Sequence, residues 1–185
     1  TYAAGSVATL PGVGTLVIAS NGNFTFTPAA NTNGAVPVAT YTVSDGTSAS
    51  TATLTIGPVA AVNDAPVITS NGGSAAATIA VAEGTAAVTT VASTDVDGGL
   101  ANYTIAGGAD AARLAMDAET GVLGFVTAPK VEAPIDANVD NRYLVNVRVA
   151  DGAGGSDTQA ITVNVGNVNE APVAGNDSFS VAEDT

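Results

Sequence analysis

Two stretches of strict alternation joined by a glycine-rich turn restrict this chain more than any other feature. Within Arg142 to Ala150, Tyr143, Val145, Val147 and Val149 alternate with Leu144, Asn146 and Arg148. Within Thr158 to Val165, Ile161, Val163 and Val165 alternate with Thr162 and Asn164. A period of two sends alternate side chains to opposite faces, so each stretch is a strand with one apolar face. The intervening DGAGGSD is a hairpin turn. YTVSDG followed by TATLTI repeats the pattern earlier in the chain, so each of two units ends on a hairpin whose turn opens with Asp-Gly.

Further strands are expected at Val67–Ser70, Thr78–Ala82, Val88–Ser93, Asn102–Ala106, Arg113–Met116 and Val122–Thr127 in the second unit. The first unit offers Thr15–Ala19, Asn23–Thr27, Ala39–Ser44 and Thr51–Ile56. Seven or eight short strands in roughly 105 residues is the count of a Greek-key β-sandwich. No apolar helical period is sustained anywhere. Apolar residues make up 46% of the chain but aromatics only 4%, and Trp is absent, so Val, Ile, Leu and Ala must fill the core. The fold class is all-β: tandem Greek-key β-sandwiches, the first incomplete, because about five strands are too few to close one.

The strings VNDAPVITS (Val62 to Ser70) and VNEAPVAGN (Val168 to Asn176) are near copies that mark the unit boundaries. They divide the chain into a partial sandwich at 1–61, a sandwich at 62–168, and a linker with an opening strand at 169–185. In that last segment Phe179 and Val181 alternate with Ser178 and Ser180. The abrupt ends, TYAAGSV and VAEDT, predict a segment cut from a longer chain, with any export signal outside it.

Charge narrows the partners. Seventeen acidic residues stand against four cations, Arg113, Lys130, Arg142 and Arg148, for a net charge of −13. Four cations cannot track a phosphate backbone or an anionic membrane surface, so neither nucleic acid nor membrane insertion is expected. With no His and no Cys, the commonest general bases, thiol nucleophiles and soft zinc ligands are missing. No Ser sits in a nucleophile elbow, so no enzyme is expected.

The carboxylates of the second unit gather at turns and strand ends. Hard oxygen donors on stiff turns suit Ca²⁺, which takes 6–8 oxygens. STDVDGG places Asp95 and Asp97 two residues apart, on the same side of an extended segment. Three Asp-Gly turns have an ordinary explanation in turn chemistry, which suffices for Asp45. DANVDN (Asp136 to Asn141) copies the first half of an EF-hand loop but lacks its Gly and Glu, and is expected to be a solvated loop.

Taken in order, Glu83, DVDG (Asp95, Asp97), Asn102–Tyr103, DAETGVL (Asp117 to Leu123), KVE (Lys130 to Glu132), VAD (Val149 to Asp151) and NVNEAP (Asn167 to Pro172) resemble cadherin repeats, most closely the bacterial cadherin-like repeats of large secreted adhesins. The first unit, with GTLVIASNGNFTFTP, YTVSDG and VNDAP, resembles the VCBS-type and related Ig-like repeats of such adhesins. The resemblance implies Ca²⁺ between consecutive units, held in two half-sites. An upper one would use Asn63, Asp64, Asp95, Asp97, the Asn102 carbonyl and Asp151. A lower one would use Glu83, Glu132, Asn167, Asn169 and Glu170. The chain departs from the family pattern where Ala61 and Asn167 replace the Asp that opens the linker, where Lys130 replaces an acid, and where the first unit lacks a counterpart of Glu83 or Glu132. One ion is therefore expected at the upper junction.

The implied function is a calcium-stiffened extender in an extracellular, bacterial-surface adhesin or matrix protein, partnered by adjacent repeats or further copies of itself. One rival is a self-assembling filament subunit whose C-terminal strand completes the next copy's first unit through Asn176, Ser178, Phe179, Val181 and Glu183. The other is a carbohydrate-binding accessory module, disfavoured by the absence of Trp.

Overall fold

The computed structural model describes residues 3–99, 101–180 and 183. Among these residues it is built of strands, with one short 3-10 turn at Ala111–Arg113. The first unit holds β1 (Val7–Leu10), β2 (Gly14–Ile18), β3 (Phe24–Pro28), β4 (Ala39–Ser44) and β5 (Ala49–Leu54). The second holds β6 (Val67–Ile68), β7 (Ala76–Ala82), β8 (Ala87–Thr90), β9 (Ser93–Thr94), β10 (Asn102–Gly107), β11 (Leu114–Met116), β12 (Val122–Phe125), β13 (Arg142–Ala150) and β14 (Ser156–Gly166).

In the second unit a four-stranded sheet in the order β10-β13-β14-β7 faces the sheet β11-β12-β8, with the short pair β6-β9 beside it. The alternation in the sequence decides which face is buried. Tyr143, Val145, Val147 and Val149 of β13 and Ile161 and Val163 of β14 are all at most 1% exposed, while Arg142, Leu144, Asn146 and Arg148 point outward. Leu114, Leu123 and Phe125 of the opposite sheet enter the same core, as do Ile68, Val91 and Tyr103. The Phe125 and Tyr143 rings meet edge to face, 4.8 Å apart at 77°, a favoured aromatic geometry. The hairpin β13–β14 pairs in continuous antiparallel register from Arg142↔Asn164 to Ala150↔Ser156. On its other edge β14 pairs in parallel with β7, from Ala160↔Ala76 to Gly166↔Ala82.

Three local features depart from the sequence reading. The strand expected over Val88–Ser93 is split into β8 and β9, because Val91 leaves the ladder to bury its side chain and bond its N–H to the Gly121 carbonyl at 2.8 Å. Gln159 lies on the apolar face of β14 yet is only 1% exposed. Its amide donates to the Ser74 carbonyl at 2.7 Å and accepts from Asn71 at 3.1 Å, and Asn71 in turn accepts from Thr89 at 2.9 Å. Within this Gln159–Asn71–Thr89 chain each linked polar group thus has a partner, as the interior demands. Finally, DANVDN is not a solvated loop at its root. Asp136 is 4% exposed and accepts the N–H groups of Asp140 and Asn141. Asp110, 3% exposed, accepts those of Ala137 and Leu144. The two carboxylates tie the loop to β13 from beneath.

The first unit has a thinner core. β1-β2-β3 form one antiparallel sheet and β4-β5 a separate hairpin, whose register is continued by an isolated bridge between Gly34 and Val59. Among its described residues the buried hydrophobics are Leu16 and Val36. β1 was not foreseen, since VATL is short and sits among Gly and Pro. The remaining strands match expectation within a few residues at each end. After β14, residues 167–180 form no strand and are exposed, with Phe179 at 87%. Ser178 to Ser180 lie in no strand, and Val181 lies outside the described residues.

Candidate metal centre

The lower set of carboxylates converges. Glu83 follows β7 directly, where Glu83 N bonds the Gly166 carbonyl at 2.9 Å and turns the chain back across the end of β14. This leaves the Glu83 side chain 9% exposed, one oxygen accepting the Val131 N–H at 3.0 Å and the other the Val168 N–H at 2.6 Å. It therefore pins both the KVE segment and the second linker. These two backbone donors, Val131 first, hold the Glu83 carboxyl below the usual carboxylate range against the opposing effect of burial, and Lys130 adds a smaller electrostatic share. Glu132 accepts from the Asn167 amide at 2.7 Å. Glu170 completes the group: one oxygen from each of Glu83, Glu132 and Glu170 lies within 4.8 Å of the others. Among the described residues no other three acidic groups meet that closely. Asn169 is exposed on the same linker.

The upper set is arranged differently. Instead of one cluster, it forms two hydrogen-bonded links between the first linker and the loops of the second unit. Asn63 donates its amide to Asp151 at 2.7 Å, and Asp64 N donates to Asp97 at 2.6 Å. Asp95 accepts the Asp97 N–H at 2.9 Å, closing the DVDG turn. Asp151 accepts three further N–H groups from Ala153, Gly154 and Gly155, so it organises the whole β13–β14 turn. Its carboxyl is held below the usual range by the Asn63 amide first, and by these turn donors. Asp95 and Asp151 also line one small cleft of about 120 Å³ with Pro66, Ser93, Gly98, Gly99 and Ala101. Asn102 opens β10 opposite Ala150, one residue before Asp151. The linker packs tightly here: a Cβ on Gly155 would overlap the Asp151 carboxylate and lie 2.8 Å from Ala65 Cα.

Asp117 and Asp45 belong to neither set. Asp117 accepts Thr120 N at 2.8 Å, the Thr120 hydroxyl and Glu119 N, and so caps its own turn. Asp45 does the same for Ser48 and Thr47, as ordinary turn chemistry predicts. Sequence reasoning overlooked Asp110, Gln159 and the double backbone role of Glu83. Glu83 alone carried a signal, its place after a strand and its recurrence at Glu183.

A family model described as a cadherin-like domain matches residues 3–57. The match falls on the first unit, so the likeness read from the motifs of the second extends to the segment before it. No curated protein matches the chain. Among solved structures, mouse cadherin-23 EC22-24 superposes with a TM-score of 0.60 at 16% identity, covering 88% of this chain and 52% of that one. A protocadherin gammaB7 EC3-6 cis-dimer structure gives 0.53 at 23% identity, over 87% of this chain and 40% of that one. Human protocadherin-24 EC1-2 gives 0.45 at 19% identity, over 57% and 44%. The chain spans about half, or less, of the length of each. It has the fold of cadherin ectodomain repeats.

Proposed function

We propose that this chain, cadherin-like in its first unit and in its fold, is a pair of extracellular spacer repeats of a bacterial adhesin or matrix protein, stiffened by Ca²⁺ at the ends of the second unit. The observation that carries this reading is the meeting of Glu83, Glu132 and Glu170. Three carboxylates whose oxygens lie within 4.8 Å repel one another, in a chain with 17 acids and four cations. Oxygen-only donors suit a hard cation that accepts irregular geometry. Glu83, Glu132 and Glu170 would hold it, with Asn167 and Asn169 beside them. Bound there, the ion supplies positive charge that neutralises the carboxylates and ties strand end, KVE segment and linker together. At the other end Asp95 and Asp151 offer a second, smaller site, with Asn63, Asp64 and Asp97 anchoring the linker around it.

Extracellular calcium modules bind at about 10⁻⁴–10⁻³ M, so the repeats would stiffen on reaching a calcium-rich exterior. Among the described residues no helix is long and apolar enough to cross a membrane. The test is small-angle scattering with and without EDTA. Calcium should lengthen and narrow the distance distribution, and Asp97→Ala should blunt that change. Identical scattering in both conditions would remove the reading.

A further inference from the structure

Asn-Gly occurs three times in the chain, at Asn21–Gly22, Asn33–Gly34 and Asn71–Gly72. The pair is reactive, because glycine has no Cβ to keep its nitrogen away from the amide carbon of the side chain before it. The fold holds the three pairs differently. Gly22 N donates to the Ala19 carbonyl at 3.0 Å and Gly34 N to the Val59 carbonyl at 2.9 Å, so at those two the nucleophile is engaged. Gly72 N has no acceptor among the described residues. Gly72 is exposed, with nothing within 4 Å of where a Cβ would stand. Here the restraint falls on the asparagine instead. Asn71 accepts the Thr89 hydroxyl at 2.9 Å and donates its amide to Gln159 at 3.1 Å. Asn71 and Gly72 sit at φ +54° and +85° in a turn closed by Gly73 N on the Ser70 carbonyl at 3.0 Å, a backbone that Asn-Gly suits.

We propose that Asn71 is a self-modifying site guarded by the fold: its amide survives while the turn is closed on β8 and β14, and converts irreversibly to a carboxylate once the turn opens. In the open chain Gly72 N attacks Asn71 Cγ. The new C–N bond forms as the Cγ–Nδ2 bond breaks, and ammonia leaves with the proton from Gly72 N. Water then opens the cyclic imide. Cleavage at Cγ gives aspartate, and cleavage at the main-chain carbonyl gives isoaspartate, whose backbone runs through Cγ. The reaction needs water alone.

Neither product fits back. Aspartate accepts this backbone as readily as asparagine, so the conflict lies in the side-chain contacts. Gln159, 1% exposed, loses the donor to its Oε1 and faces an anionic oxygen. Turning the Gln159 amide over does not help, because its Nε2 donates to the Ser74 carbonyl at 2.7 Å and the turned Oε1 would face that carbonyl. A charge taken from water without a donor is costly. Isoaspartate lengthens the backbone inside the closed turn and moves Gly73 N off the Ser70 carbonyl. A second unit that has opened and reacted therefore recloses less stably, and the site keeps a one-way record of opening.

The intact 185-residue chain, held at mildly alkaline pH with and without unfolding concentrations of urea, tests this by peptide mass spectrometry after a digest that separates the three asparagines. Asn71 should convert more slowly in the folded chain than in urea by about tenfold or more, the protection expected of two hydrogen bonds. Equal rates overturn the guard. Thr89→Val keeps the branched shape and removes the hydroxyl. It should speed conversion of Asn71 in the folded chain and leave the rate in urea unchanged; a folded-chain rate that stays level or falls overturns the guard. Gly121→Ala loosens the same unit without touching Asn71, so a rate that follows stability alike in both variants overturns the role of the Thr89 bond. Asn71→Asp supplies the product directly and should lower the urea midpoint. A midpoint equal to the parent's overturns the one-way step.

Discussion

Glu132 allows calcium binding to be separated from the stability of the fold. Its side chain is exposed, accepts one hydrogen bond from Asn167 at 2.7 Å, and stands within 4.8 Å of the oxygens of Glu83 and Glu170. Gln at this position keeps an oxygen for Asn167 but removes one of three charges from the ion's surroundings. Without calcium the melting temperature of Glu132→Gln should equal or slightly exceed that of the parent, since one repulsive charge is gone. With calcium at a hundredfold excess over its dissociation constant, binding stabilises the parent by about 2.7 kcal/mol. For a unit of about 105 residues that raises the transition by about 10–20 °C. If the lost ligand charge weakens binding about tenfold, the same calcium contributes about 1.4 kcal/mol and the rise is halved. Scanning calorimetry in EDTA, Ca²⁺ and Mg²⁺ measures this directly. A Glu132→Gln variant that shows the parent's full rise would refute the placement of the ion among the three glutamates.

Glu83→Gln should behave otherwise, lowering stability even in EDTA: both Glu83 oxygens accept backbone N–H groups, and the amide can accept only one. Calorimetry of the two variants side by side distinguishes a ligand from a pin. Acid should destabilise the chain in a defined direction. Asp45, Glu83, Asp117 and Asp151 all have carboxyls held below the usual range by hydrogen bonds, the largest from Ser48, Val131, Thr120 and Asn63 respectively. Groups lowered on folding contribute stability that is complete above the unfolded values near about 4 and is lost as pH falls through the folded ones. Melting temperature should therefore be level from neutrality to about pH 5 and drop below about pH 4; a rise on acidification would contradict the assignment. Gly121→Ala should cost about 2–4 kcal/mol, because Gly121 has φ +70° and a Cβ there would overlap the Val91 carbonyl. Urea denaturation should show it, and an unchanged midpoint would mean that the Val91 turn yields.

The sequence carried the strands because their signal is local. Tyr143 to Val149 and Ile161 to Val165 each declare their buried face by alternation, and the Asp-Gly turns between strands declare the hairpins. It also limited the donors a cation could meet at the turns, since without His or Cys the carboxylates there offer oxygen. What composition and periodicity could not declare was which of the two groups named by the resemblance converges. Asp95, Asp97 and Asp151 look the stronger set on paper, but the fold spends their oxygens on the Asn63 amide and on backbone donors of the linker and turns. Glu83, Glu132 and Glu170 carry no local sign of meeting and are grouped only through the resemblance to cadherin repeats; the turn from β7 across the end of β14 brings their oxygens within 4.8 Å. Asp110 and Asp136 likewise read as loop acids, and only the loop folding back over β13 buries them among backbone N–H groups. Periodicity decides the face of a strand within a few residues. The gathering of charges far apart in the chain depends on where strands end in space, and that is set by the pairing of β13, β14 and β7.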